Sequence, residues 1–569
     1  MRSEEQTAGT APVREEQASR RARVLAFVLL LAALASHWLP RLSGPIDLHY
    51  DGATYYVLAQ ALAEGKGYRL LNEPGEIEAL QYPPLFPLWI AAHMRLAGSA
   101  EPASVAPLLR VSQALLSLAL AGALFALARR FLPLWPALFA ALLTTLSFRT
   151  VYLSDLLFPE LLFTLLSVLF FLASSARRTG WHWLAGPLAA AAFLTRTIGV
   201  ALLAAWVAEA LFARRWRNAC ARALLALVPV AAWQGYGARV ESSADYREPA
   251  YAYQRAPYLY NNVSYGRNLF LIDPFAPERG FIGLGGLAHR CADNARHLPT
   301  FIGELVLAPV AEFAWPLSLA AQALGVEFDP KALLLTLLAC AGLVTLAGLA
   351  WFARSQERGP PLYVLLSLLA IVVTPWQHQF WRYLAPLTPF FALGFAYLLA
   401  RAARAAEARG ARALRVAVLL LALFALAAQV KTTRSMFARS WSEFEWHDEQ
   451  GTALRGHAFY VEEEWRTLEQ AFAWLRAHAA AGEVVASTVP QLAWLGTGLP
   501  SVWPPFDPDP AAALAALDTV PVRYVIVDQL SFLDVTQRYA RALVEAQPES
   551  FELLYRASGE SSLSIWRRR

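Results

Sequence analysis

Acids and aromatic residues cluster directly after the first hydrophobic segment, in residues 47–55 (Asp-Leu-His-Tyr-Asp-Gly-Ala-Thr-Tyr), and Tyr82-Pro83-Pro84 follows. A carboxylate at a membrane surface can act as a base on a substrate presented by the bilayer, and apolar surroundings rarely keep an ionisable group without a use for it. We therefore take Asp51 as a candidate catalytic base, with Tyr55 and Tyr82 as candidate substrate contacts. The alternative is that Asp51 only caps a helix over residues 52–64, which could lie on the outer leaflet.

A second pair of acids, Asp155 and Glu160, flanks one end of a later hydrophobic run. Asp155 lies beside this run with no cation adjacent in sequence, so it is the second candidate catalytic carboxylate. Glu160 is a candidate substrate-binding residue. Alternatively, Glu160 only complements the dipole of a helix that begins after Pro159.

Two arginines and a histidine could hold an anion. Arg196 separates two apolar segments, and His378 and Arg382 lie in an aromatic stretch, residues 376–383. A buried anion or an acidic partner would explain Arg196, and His378 with Arg382 could bind a lipid phosphate. The alternatives are an Arg196 side chain that extends to the outer headgroups, and an aromatic belt at the membrane interface. The tyrosines and arginines of the segment 237–330 suit sugar or phosphate contact, or equally an interface with another protein.

The composition predicts a membrane protein. The chain has 569 residues, 57% of them hydrophobic and 16% charged, with a mean hydropathy of +0.37, and a soluble domain could not cover so much apolar surface. The formal net charge of +5 comes from arginines clustered between hydrophobic runs, as topology signals are, so nucleic acid is not predicted as a partner. The three cysteines are far apart and predict neither a metal cluster nor a disulfide framework.

The hydrophobic runs predict an all-α membrane domain of about eleven transmembrane helices over residues 23–430. The runs lie near 24–40, 108–128, 133–149, 157–174, 183–195, 198–212, 219–236, 331–353, 361–375, 384–400 and 413–430. If these spans alternate, the arginine clusters, including Arg177-Arg178, share one face, which the positive-inside rule makes cytoplasmic. The run 85–98 must then not cross the membrane. The segments 41–107 and 237–330 become outer loops.

The two ends of the chain differ from this domain. Residues 1–22 are polar and predict a disordered, cytoplasmic N-terminus. An odd number of spans exports residues 431–569, whose composition predicts a small soluble α/β domain. A helix is expected over 462–481 and strands over 483–489, 523–528 and 561–566. No catalytic motif is visible in this domain.

The order of these landmarks resembles the GT-C glycosyltransferases, in the branch of protein O-mannosyltransferases and lipid A aminoarabinose transferases. An acid opens the first outer loop, an aromatic follows four residues on, and a helix of small residues ends in Gly65-Lys-Gly-Tyr68 before Tyr82-Pro83-Pro84-Leu85. The turn 155–160 and the segment 382–387 look like later landmarks. The resemblance covers about residues 20–430 and implies a GT-C-like fold.

The resemblance also implies an activity. Such enzymes pass a sugar from a polyprenyl-phosphate carrier to a lipid, glycan or protein acceptor at the outer face of the plasma membrane. Asp51 would deprotonate the acceptor hydroxyl, and Arg382 and Arg196 would stabilise the departing phosphate. Many relatives have Asp-Glu at Asp51-Gly52, and some have Lys-Pro-Pro at Tyr82-Pro83-Pro84. A divalent cation is left open as a cofactor, with no metal ligand assigned.

Two other classes of function also fit a chain with many spans. The first is a lipid or polysaccharide transporter, although paired halves and broken helices at corresponding positions are not evident. The second is a non-catalytic membrane scaffold that recruits partners through its exported domain. The richness in alanine, leucine and arginine suggests a GC-rich bacterial genome, and therefore a bacterial inner membrane.

Overall fold

The computed structural model describes residues 10–175, 180–325, 329–440, 442–447, 453–458, 463–530, 532–557 and 563–569. The helices are α1 (Thr10–Trp38), α2 (Asp51–Ala63), α3 (Leu85–Ala97), α4 (Pro102–Ala128), α5 (Leu134–Thr145), α6 (Phe148–Leu153), α7 (Glu160–Ser174), α8 (Ala185–Thr195), α9 (Val200–Phe212), α10 (Trp216–Glu241), α11 (Ala244–Arg247), α12 (Tyr265–Leu269), α13 (Leu284–Val306), α14 (Ala311–Leu324), α15 (Pro330–Ser355), α16 (Gly359–Ile371), α17 (Phe380–Leu384), α18 (Thr388–Ala408), α19 (Arg412–Ser440), α20 (Glu463–His478), α21 (Pro490–Thr497), α22 (Pro510–Leu517) and α23 (Arg541–Ala546). The strands are β1 (Ser442–His447), β2 (Ala453–Ala458), β3 (Val484–Ala486), β4 (Ser501–Val502), β5 (Val522–Val527), β6 (Phe551–Arg556) and β7 (Ser564–Arg568).

Each of the eleven hydrophobic runs falls on a helix: α1, α4, α5, α7, α8, α9, α10, α15, α16, α18 and α19. Among the described residues, five helical segments are long and apolar enough to cross a membrane: Arg20–Arg41, Pro102–Ala128, Pro330–Ser355, Gln377–Ala408 and Arg412–Ala438. Others, such as α5 and α16, are shorter than the roughly 20 residues that a bilayer core requires. The multi-pass character is therefore clear, and the number of eleven spans stays a prediction.

The structure differs from the prediction at the N-terminus and in the second outer loop. Helix α1 begins at Thr10, so residues 10–22 are helical, whereas the sequence predicted disorder. The segment 237–330 contains α13 and α14. A Cβ atom on Gly303 of α13, or on Gly342 of α15, would collide with a backbone carbonyl of the other helix, so glycine permits this close crossing. Residues 1–9 and the Arg177-Arg178 cluster lie outside the described residues.

Helix α2 is buried, whereas the sequence predicted an amphipathic helix on the outer leaflet. Residues such as Ala53, Val57 and Ala61 are at most 1% exposed. The helix packs against α3 on one side and against α21 of the C-terminal region on another. Asp51, its first residue, therefore lies between the membrane domain and the C-terminal sheet.

The C-terminal region contains a five-stranded sheet with the strand order β4-β3-β5-β7-β6. Strand β3 runs parallel to β4 and β5, and β7 runs antiparallel to β5 and β6. The expected helix is α20, and the expected strands are β3, β5 and β7, although residues 561–562 lie outside the described residues. After β3, the chain forms β4 on one side of this strand and then β5 on its other side. The carboxyl ends of β3 and β5 therefore form a crevice of the type that binds ligands in open α/β sheets.

A buried carboxyl at this edge, Asp528, makes stability depend on pH. Asp528 is 1% exposed and accepts hydrogen bonds from the Thr488 hydroxyl and the Leu530 backbone N–H. Burial raises the pKa of the Asp528 carboxyl from 3.8 to about 6. The folded state therefore binds this proton more tightly than the unfolded state, and the contribution of Asp528 to the free energy of unfolding falls as pH rises from about 4 to about 6.

We expect Asp528→Asn to raise the melting temperature at neutral pH, by removing this cost, and to leave it little changed in mild acid. The measurement is the difference in melting temperature between variant and wild type across this pH range, because other carboxyls also titrate. Asp534→Asn is the matched control, since its side chain is 61% exposed. A difference that does not vary with pH would contradict the expectation.

Candidate active site

A cavity of about 590 Å³ lies between the membrane helices and the C-terminal sheet domain. On the membrane side, the cavity is lined by residues of the segment 41–107, of the junction between α8 and α9, and of the turn before α18. The C-terminal domain contributes Thr488, Val489, Gln491, Leu492, Trp503, Phe532 and Leu533. A cavity of this size can take a small molecule or a sugar with its phosphate.

Four charged side chains form a continuous ion-pair chain at this cavity: Asp51, Arg382, Glu160 and Arg196. Arg382 Nη1 donates to Asp51 Oδ2 at 2.7 Å, and Arg382 Nε donates to Glu160 Oε1 at 2.7 Å. Arg196 Nη1 donates to the same Glu160 oxygen. The four side chains are 3–16% exposed, and their formal charges cancel. Because these charges are buried, each needs its oppositely charged partners to offset the free-energy cost of removal from water.

This geometry decides between the alternatives for three of the predicted residues. Arg196 pairs with Glu160, and its side chain is 14% exposed, which favours an acidic partner over extension to the headgroups. Glu160 is the first residue of α7, yet its carboxylate also binds two arginines, so dipole complementarity is not its only role. Asp51 is the first residue of α2, and no side-chain hydrogen bond caps that helix.

Backbone pairing brings Asp51 next to the turn that carries Glu160. Asp47 and Leu156 form a parallel β-bridge, in which the Leu157 N–H donates to the Asp47 carbonyl at 3.0 Å. A Cβ atom on Gly52 would lie 3.2 Å from that carbonyl oxygen. Glycine at this position therefore permits the close approach, and a glutamate there would crowd the bridge.

The residue before Asp51 has a strained backbone. Tyr50 has φ 57° and ψ −129°, a conformation that costs on the order of 1–3 kcal/mol for a residue with a side chain. Its ring packs edge-on against Trp465 and Phe532, at centroid distances of 5.5 and 4.8 Å. These C-terminal contacts hold Tyr50, and so fix the direction in which Asp51 enters the cavity.

Tyrosine hydroxyls surround the Asp51 end of the ion-pair chain. The rings of Tyr55 and Tyr82 pack at 4.6 Å, and both residues line the cavity with Tyr260. Burial, and then the negative charge of Asp51, raises the pKa of all three hydroxyls, so they remain protonated donors. His378 also lines the cavity, but it is exposed and does not join the ion-pair chain.

Asp155 does not lie at this cavity, which corrects its prediction as a catalytic carboxylate. It accepts from Arg110 Nη1 at 2.6 Å and lies 3.5 Å from Arg41 Nη1, and all three side chains are 0% exposed. A substrate in the cavity cannot reach Asp155, which instead ties α4 to the end of α1. Glu160 does not line the cavity either, so it positions Arg382 and Arg196.

Sequence reasoning missed the polar wall that the C-terminal domain supplies. Thr488, Gln491 and Trp503 line the cavity, as does Gln81 just before Tyr82. No motif marks these residues, and only the fold brings them to the site. Within the described ranges, no group of three or more histidine, cysteine or acidic side chains could hold a metal ion, so no ligand set for a cation is assigned.

Comparison with known protein families finds a match over part of the chain. Residues 81–233 match the model of the family described as dolichyl-phosphate-mannose-protein mannosyltransferase. No curated protein sequence matches the chain. The segment includes Tyr82, Glu160 and Arg196.

Solved structures share the fold at low sequence identity. The archaeal oligosaccharyltransferase AglB from Archaeoglobus fulgidus, in complex with an inhibitory peptide and a dolichol-phosphate, is 13% identical, with a TM-score of 0.53 over 97% of this chain and 74% of that chain. The same organism's oligosaccharyltransferase with Zn and sulfate is 13% identical, with a TM-score of 0.51 over 95% and 72%. ArnT from Cupriavidus metallidurans bound to undecaprenyl phosphate is 11% identical, with a TM-score of 0.46 over 95% and 97%, which is too low to support an argument.

The match of the family model confirms the resemblance that the landmarks indicated. Residues 81–233 are thus similar to the dolichyl-phosphate-mannose-protein mannosyltransferases, in a chain that shares its fold with the archaeal oligosaccharyltransferase.

Proposed function

We propose that the chain transfers a sugar from a polyprenyl-phosphate donor to a hydroxyl group of a lipid, glycan or protein acceptor, at the outer face of the plasma membrane. The observation that supports this most is the ion-pair chain at the cavity. It joins a carboxylate that can accept a proton to two guanidinium groups that can hold a phosphate, and glycosyl transfer from a phosphate needs both.

Arg382 links the proposed base to the proposed phosphate-binding site. In this structure its Nη1 donates to Asp51 and its Nε to Glu160. A donor phosphate that enters the cavity replaces Asp51 as the partner of Nη1, and Asp51 is then free to accept the proton of the acceptor hydroxyl. The hydroxyl oxygen attacks the anomeric carbon, the bond from that carbon to the phosphate oxygen breaks, and the polyprenyl phosphate leaves with the electron pair.

Negative charge moves during this step from Asp51 to the leaving phosphate. Asp51 becomes neutral as it gains a proton, while the phosphate changes from a diester to a monoester and gains a negative charge. Arg382 therefore stabilises the leaving phosphate, which carries more negative charge, more strongly than it stabilises the bound donor. Glu160 offsets one of the two positive charges and orients both guanidinium groups.

Two further arguments support a polyprenyl-phosphate carrier and a site on the outer side of the membrane. The oligosaccharyltransferase with the same fold was solved with a dolichol-phosphate, which supports a polyprenyl-phosphate carrier. The arginine clusters favour a cytoplasmic N-terminus, with the cavity and the C-terminal domain outside, as in a bacterial inner membrane protein.

The first test is sugar transfer by the purified full-length chain from a panel of radiolabelled polyprenyl-phosphate hexoses and pentoses. We expect transfer to be matched by an equal amount of free polyprenyl phosphate. Arg196→Gln removes a charged phosphate contact, which is worth about 1.5–3 kcal/mol, so the KM for the donor should rise at least about tenfold.

Arg239→Gln is the matched control, because this outer arginine is 63% exposed and does not line the cavity. We expect it to leave the donor KM unchanged. A folded protein that transfers no sugar from any donor, but moves the intact lipid across vesicle membranes, would contradict the proposal and favour a transporter.

A further inference from the structure

Three residues that line the cavity each have a buried polar atom with no hydrogen-bond partner among the described residues: Gln81 Oε1, Gln491 Nε2 and Trp503 Nε1. The three residues are only 6%, 4% and 2% exposed. A buried donor or acceptor without a partner costs about 1–3 kcal/mol, so native structures keep few of them. Three such atoms at one cavity indicate groups that a ligand satisfies.

The fold brings these atoms together from two parts of the chain. Gln81 belongs to the first outer loop, Gln491 is the second residue of α21 after β3, and Trp503 follows β4. The Ser501 N–H donates to the Asn72 carbonyl at 2.7 Å, and Asn72 Nδ2 donates to the Ser501 carbonyl at 2.9 Å. This pair of bonds joins the first outer loop to the C-terminal sheet close to Trp503.

Tyr260 connects this wall to the ion-pair chain. Its ring packs against that of Trp503 at a centroid distance of 5.8 Å and an angle of 62°. Its hydroxyl feels the charges of Asp51 and Arg382. Trp503 and Tyr260 line the same cavity as Asp51 and Arg382.

The unpartnered polar atoms of Gln81, Gln491 and Trp503 favour one class of ligand. Two N–H donors and one carbonyl acceptor match hydroxyl groups, because a hydroxyl both donates and accepts. Trp503 and Tyr260 add aromatic surface for the apolar face of a ring. Gln81, Gln491 and Trp503 carry no charge, so a protonated amine beside them would be buried without an acidic partner.

We propose that Gln81, Gln491 and Trp503 form a binding site for a neutral, hydroxyl-rich sugar ring, and that this site selects against sugars with a cationic amino group. The inference rests on the proposed function and adds the substrate class. The same chemistry fits the sugar of the donor or a sugar of a glycan acceptor.

The test measures the affinity of the full-length protein for polyprenyl phosphate alone and for its neutral hexosyl and pentosyl derivatives, without turnover. Trp503→Phe removes the N–H and keeps the ring, and Gln491→Met removes the amide and keeps the length. Each lost hydrogen bond should weaken binding of the sugar-bearing lipid about fivefold and leave binding of the bare phosphate unchanged. Trp474→Phe is the control, because Trp474 stacks on His478 and does not line the cavity.

A second measurement, the KM for a glycan acceptor, shows whether the site binds the sugar of the donor or a sugar of the acceptor. If the site holds the acceptor, donor affinities stay constant and the acceptor KM rises by the same factor. If neither changes, the inference is overturned, even in an enzyme that transfers sugar normally. A further outcome is that the variants lose the extra affinity for the sugar-bearing lipid over bare polyprenyl phosphate while the wild type transfers no sugar. That result would support the binding site and contradict the proposed transfer.

A charge change tests the selectivity directly. Gln491→Glu places a carboxylate in the same volume, so the ratio of affinities for a 4-aminopentosyl donor over a neutral pentosyl donor should rise at least about tenfold. Melting temperatures confirm that the variant is folded. A wild type that prefers the cationic donor, or a ratio that Gln491→Glu leaves unchanged, would overturn the selection against cationic sugars.

Discussion

Asp51→Asn should lower kcat for sugar transfer by about 10³-fold, within the range that a positioned general base contributes. The change keeps the size of the side chain and removes the proton acceptor. It also removes the competitor of the donor phosphate for Arg382 Nη1, which Asp51 holds at 2.7 Å. We therefore expect the donor to bind as tightly as in the wild type, or a few times more tightly, although turnover is lost.

This combination separates a base from a binding residue, because loss of a phosphate contact would weaken donor affinity. Stability should change little, since Arg382 keeps its bond to Glu160. The measurements are single-turnover sugar transfer, donor affinity and melting temperature. Glu64→Gln, at the exposed C-terminal end of the same helix, is the control that should keep full activity. A folded Asp51→Asn protein with normal kcat would rule out Asp51 as the base.

Much of the site could be anticipated because an ionisable group among apolar segments must find a partner. This rule predicted a buried anion or an acidic partner for Arg196 and marked Asp51 and Arg382 as functional candidates. It could not say which groups pair, since Asp51 and Arg382 are 331 residues apart. The same limit explains the error at Asp155: it has no cation nearby in sequence, yet the fold supplies Arg41 and Arg110.

The predictability of the fold follows the strength of the sequence signal. Long apolar runs predict helices directly, and the helix α20 and strands β3, β5 and β7 have clear periodicity. Helix α13 was missed because its first half is rich in histidine and arginine. The short strand β4 and the polar cavity wall carry no local pattern, since their roles arise only from tertiary packing.

The C-terminal domain is part of the site in this structure. It supplies Gln491 and Trp503 to the cavity, and its Trp465 and Phe532 hold the strained Tyr50 beside Asp51. The strain is local, but the contacts that maintain it come from residues more than 400 positions later. A C-terminal domain that is packed in this way can couple a ligand beside Gln491 and Trp503 to the position of Asp51.

Asp155→Asn should destabilise the protein by about 3–5 kcal/mol and leave kcat per folded molecule unchanged. Its carboxylate is the common partner of Arg41 and Arg110, and all three side chains are 0% exposed, so the variant leaves two buried cations without their acid. The measurement is the free energy of unfolding in parallel with turnover of the folded fraction. Glu407→Gln is the matched control, because its ion pair with Arg415 is 51–60% exposed and should contribute less than about 1 kcal/mol. A stable Asp155→Asn protein with strongly reduced kcat would instead return Asp155 to the catalytic machinery.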